Sequence, residues 1–113
     1  MKTGLLSALM LTVASLPLSH AAADSVKMMG AGNVTCKEWA QLRASTEYFS
    51  AGNWVLGFLS STAWNTGDNI LSGKKADGLF MAIDKYCSEM PKQTIADAAV
   101  ELTSHLLDKA PRE

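Results

Sequence analysis

Hydrophobic and polar positions change pattern several times along the chain. Leu5 to Leu18 is an almost unbroken apolar run behind a short basic start, Met1-Lys2. Ser19-His20-Ala21-Ala22-Ala23 follows, with small residues placed for signal peptidase to cut after Ala21 or after Ala23. The run is about 14 residues, short of the ~20 that a bilayer-spanning helix needs. Residues 1–23 therefore read as a cleaved secretory signal peptide. Residues 24–33 contain Met28-Met29-Gly30-Ala31-Gly32, show no periodicity, and read as a flexible arm. Asn33-Val34-Thr35 also matches a glycosylation sequon, a three-residue pattern of low specificity.

From residue 34 to residue 113 the period is helical. Thr35-Cys36-Lys37-Glu38 has the form of a capping box. It opens a first helix that runs to about Ala44 or Ser45, with Cys36, Trp39 and Leu42 on its inner face. Thr46 to Gly52 reads as a connector, with Tyr48 and Phe49 packing inward. Asn53 is then the expected cap of a second helix, Trp54 to Trp64, whose first turns are apolar all round and so should be central and buried. Trp-Val-Leu and Phe-Leu also suit a strand, but the length and the small residues Gly57, Ser60 and Ser61 favour a helix.

Asn65 to Asn69 is rich in turn formers, and Ile70-Leu71 can dock into the core. Leu79, Phe80, Ile83, Tyr86 and Cys87 make one face of a third helix, from about Lys75 to Ser88, which Met90-Pro91 ends. Thr94-Ile95-Ala96-Asp97 opens a fourth helix, with Ile95, Ala98, Ala99, Leu102 and Leu106 on one face. Pro111 closes it. The expected fold is an all-α domain of four helices without internal repeats.

Composition changes this picture in two places. The mean hydropathy of +0.07 over 113 residues is raised by the first 23. Without them the chain has nine basic and eleven acidic side chains, and no basic stripe of the kind that binds nucleic acid. The longest later apolar stretch, Trp54 to Leu59, is too short for stable membrane insertion. The second change concerns Cys36 and Cys87, the only cysteines. In a secreted chain an even count implies pairing, and two cysteines allow one connectivity. The loop so closed spans 52 residues counted inclusively, which corresponds to about 4 kcal/mol of chain entropy. An expected stability of ~5–15 kcal/mol makes that contribution a decisive one.

Candidate chemistry is sparse. After the signal only one histidine remains, His105, at the edge of the fourth helix's apolar face. It reads as a surface or boundary residue rather than a catalytic base. Asp77 and Asp84 lie two helical turns apart and read, with Lys74 and Lys85, as a solvated face. There is no Cys-x-x-Cys, no His-Glu-x-x-His, no calcium-binding loop and no phosphate loop. Trp39, Trp54 and Trp64 read as core more readily than as a stacking surface. The expectation is a non-enzyme with no metal and no cofactor.

The order of features carries more information than any single residue. A signal is followed by Thr35-Cys36-Lys37-Glu38-Trp39, a buried Trp/Gly-containing helix, and Tyr86-Cys87-Ser88-Glu89-Met90-Pro91 before a last helix. Over about residues 34 to 100 this resembles the HdeA/HdeB family of small periplasmic acid-stress chaperones. The resemblance implies a periplasmic protein, dimeric near neutral pH, that loosens in acid and holds unfolded clients. Protonating the carboxylates would take the secreted chain from about −2 to about +10 in side-chain charge. The resulting repulsion would expose Trp54, Phe58 and Leu59, the candidate client or partner surface, while the disulfide limits unfolding. A second class is an immunity or inhibitor protein that binds one toxin or enzyme in the periplasm through a preformed surface. A third is an accessory subunit of an envelope or secretion complex.

Overall fold

The computed structural model of the chain describes residues 26–110. The expected signal peptide, residues 24 and 25 of the expected arm, and Pro111 lie outside them. Within that range the fold is all-α: α1 (Cys36–Ala44), α2 (Phe49–Thr66), α3 (Ala76–Glu89) and α4 (Ile95–Lys109). Among the described residues no helix is long and apolar enough to cross a membrane.

Local sequence explains most of the boundaries. At α1 the Thr35 hydroxyl accepts the Glu38 amide at 3.1 Å and lies 3.1 Å from the Glu38 carboxylate. At α4 the capping box is complete. The Thr94 hydroxyl accepts the Asp97 amide, and the Asp97 carboxylate accepts the Thr94 amide at 3.0 Å. Such caps satisfy donors that a helix start otherwise leaves unpaired, and each contributes about 1 kcal/mol. α2 ends where Gly67 adopts φ +74°, a left-handed turn that glycine makes without a Cβ penalty.

Two expectations are corrected here. The second helix begins at Phe49 rather than after an Asn53 cap, and its N-terminal residue Tyr48 gives no side-chain cap. Packing replaces capping as the cause. Ala51 and Gly52 are buried, and a Cβ on Gly52 would sit 2.8 Å from Cζ of Phe80. The small pair lets this first turn close onto α3, and Asn53 is left in solvent. Phe49 consequently points outward at 65% exposure, while Tyr48 packs inward and stacks on it. The second correction concerns the expected arm, 24–33. Gly30–Asn33 is a turn of 3-10 helix, with Gly32 buried, seated against α2 and α4.

The core gathers Trp39 from α1, Val55 and Leu59 from α2, Ile83 from α3 and Ile95 from α4, all at 0% exposure, with Ile70 docked from the connector at 3%. α1, α3 and α4 are also joined at one end. Cys36 and Cys87 form the disulfide. Beside it Thr35 and Thr94 make an isolated antiparallel bridge. The Cys36 amide donates to the Gln93 carbonyl at 2.8 Å, and the Ile95 amide to the Val34 carbonyl at 2.9 Å.

Candidate protein-interaction surface

Trp39 and Arg43 are four residues apart on α1, as Phe80 and Asp84 are on α3, so each pair shares a helix face. The disulfide holds those faces together. Asp84 then receives the indole N–H of Trp39 at 2.7 Å on Oδ1 and a two-point contact from Arg43, Nε at 3.0 Å and Nη2 at 2.8 Å. This is the one ion pair among the described residues. The guanidinium carbon also lies 4.5 Å from the ring centre of Tyr48. Hydrogen bonding to Asp84 is the main cause that holds the Arg43 pKa above its ordinary value, against the smaller opposing effect of burial. Asp84 is thus an interhelical anchor, not the solvated carboxylate its neighbours in sequence suggest.

The expected surface residues divide. Leu59 is fully buried and touches no solvent in the folded chain, which removes it from any preformed surface. Trp54 and Phe58 are half-buried one turn apart on α2, their rings stacked at 5.4 Å. The indole N–H of Trp54 donates to the Met29 carbonyl at 2.9 Å. A Cβ on Gly32 would clash with the six-membered ring of Trp54, so only glycine lets the chain lie this close. Across its 18 residues α2 carries no acidic, basic or histidine side chain. Its outward residues include Gly57, which has open space around it, and Trp64, which is 88% exposed and so not in the core as expected.

A second concave region of about 610 Å³ lies between α3 and α4, lined by Tyr86, Met90, Ala98, Leu102 and His105. Burial, then the negative charges of Asp97 and Glu101, push the Tyr86 phenol above its ordinary pKa. His105 is exposed at the rim. Among the described residues no group of three His, Cys, Asp or Glu side chains is placed to hold a metal ion.

Sequence reasoning missed three features: the Asp84 anchor, the seat of the 3-10 turn on Trp54, and the exposed Trp64. The first left a faint signal, in Arg43 and Asp84 each lying four residues from an aromatic on a helix face. Compared with family models, curated proteins and solved structures, the chain matches none.

Proposed function

We propose that this is an exported protein-binding protein of the bacterial envelope that holds unfolded clients in acid, as the resemblance to the HdeA/HdeB chaperones implies. One arrangement supports the reading. An uncharged, largely apolar helix, α2, rests on a framework whose polar contacts depend on carboxylates. Asp84 joins α1 to α3 through Trp39 and Arg43, and Asp97 completes the α4 cap. Positive charge accumulating in acid then opposes compaction. The disulfide survives acid, so the framework loosens without coming apart, and α2 can present Trp54, Phe58 and Leu59.

The test is light scattering of an aggregating client at pH 2–3 with and without the purified protein. Suppression at stoichiometric amounts is expected, and none would overturn the proposal. The second reading, an immunity- or inhibitor-type binder, is favoured by one observation. Phe49 and Trp64 already stand out from the folded surface at 65% and 88% exposure. Such a binder would act at neutral pH and gain nothing from acid.

A further inference from the structure

The turn Gly30–Asn33 sits on the same face of α2 that a client would use. Its specific contact with α2 is made by Trp54, through the bond to the Met29 carbonyl and the fit of the ring over Gly32, and it also rests against α4. Its downstream end is fixed beside the disulfide by the Val34–Ile95 and Cys36–Gln93 backbone bonds. Asn33 donates to the Met28 carbonyl at 2.9 Å, which closes residues 28–33 on themselves, so they can move as one piece about Val34. Gly30 makes the fold-over possible at φ +80°.

We propose that residues 28–33 are a strap that occupies the Trp54–Phe58 surface in place of a client. The client is then an unfolded polypeptide segment that can take up the same turn and offers what the strap offers: a backbone carbonyl for the Trp54 N–H and a glycine beneath the ring. This rests on the protein-binding reading and names its substrate class. It also sets a regulation. Strap and client compete for one seat, so apparent affinity is the intrinsic affinity scaled by the fraction of molecules with the strap off. The ring tolerates no Cβ at the Gly32 position, which makes the seat selective for glycine-bearing stretches over β-branched ones.

Two variants release the strap by different routes. Gly32→Ala puts a methyl group into the Trp54 ring. Gly30→Pro fixes φ near −65°, which the strap's fold-over excludes, and leaves α2 untouched. Circular dichroism verifies that each keeps its helices, and either one that does carries the test. Hydrogen exchange follows the amides of residues 31–33. Fluorescence anisotropy at pH 7 follows two probes, reduced carboxymethylated α-lactalbumin and a labelled peptide with the sequence of residues 28–33. The strap amides should exchange faster, and both probes should bind the variants on the order of tenfold more tightly than wild type. The same peptide with alanine in place of Gly32 should not compete.

Unchanged strap exchange in both variants overturns the proposal, as does released strap with unchanged probe affinity. Equal competition by the alanine peptide overturns the glycine seat. Tighter probe binding by the variants at pH 7 supports the strap even where wild type fails to suppress aggregation at pH 2–3, an outcome that sinks acid activation alone.

Discussion

α1, α3 and α4 are linked to one another by a disulfide, an ion pair, an indole–carboxylate hydrogen bond and a backbone bridge. α2 has none of these. It meets the other helices through Ala51, Gly52, Val55 and Leu59, and meets the strap through Trp54. Directional links hold the framework in one geometry, and two of them, the disulfide and the ion pair, depend on redox state and on charge. Nondirectional apolar packing depends on neither, yet it gives way as a unit once its seat loosens. One small domain thus combines a condition-sensitive frame with a condition-indifferent occupant.

The largest expected effect probes the frame. Replacing both Cys36 and Cys87 with serine should cost about 4 kcal/mol, lowering the melting temperature by roughly 15–30 °C by calorimetry. An unchanged midpoint would show that the frame does not depend on its staple. Next comes the occupant. Leu59→Ala should cost about 3 kcal/mol by denaturant titration. Hydrogen exchange should show protection falling more in α2 than in α3; an equal fall throughout would erase the distinction between the two regions. Asp84→Asn keeps an acceptor for Trp39 but removes the charge facing Arg43. It should cost about 1 kcal/mol at pH 7, since the pair is part-exposed. Thermal melts of the two proteins at pH 7 would read that difference.

The smallest effect sharpens the comparison at the alkaline end. The folded state raises the Tyr86 pKa above the ordinary 10.0. It therefore favours the neutral phenol, and this contribution is fully present below pH 10 and is lost as pH rises through and beyond it. Absorbance at 295 nm should show one tyrosine titrating late, and Tyr86→Phe should flatten the loss of stability.

The frame was legible in the sequence and the occupant was only half so. The threonine caps at Thr35 and Thr94, the apolar stripes of α3 and α4, and the cysteine pair are local or one-connectivity signals, and the structure has each, although the capping box expected at Thr35 is completed only at Thr94. α2 lacks a capping residue, so its start at Phe49 depends on Gly52 closing against Phe80, a contact between distant segments. Arg43 and Asp84 are 41 residues apart, beyond any periodicity. The fate of each tryptophan was set by neighbours: Trp39 in the core, Trp54 under the strap, Trp64 in solvent.

The Cys36–Cys87 bond also makes a closed ring of the chain between them, and α2 lies wholly inside that ring. A detached α2 remains tethered at both ends, at an effective concentration that for short flexible tethers is on the order of millimolar. Its return is a first-order event, independent of how dilute the protein is. The strap lies outside the ring. Releasing α2 is therefore a bounded excursion with a built-in way back, and the covalent loop acts as a leash on the part of the molecule most prone to stick to its neighbours.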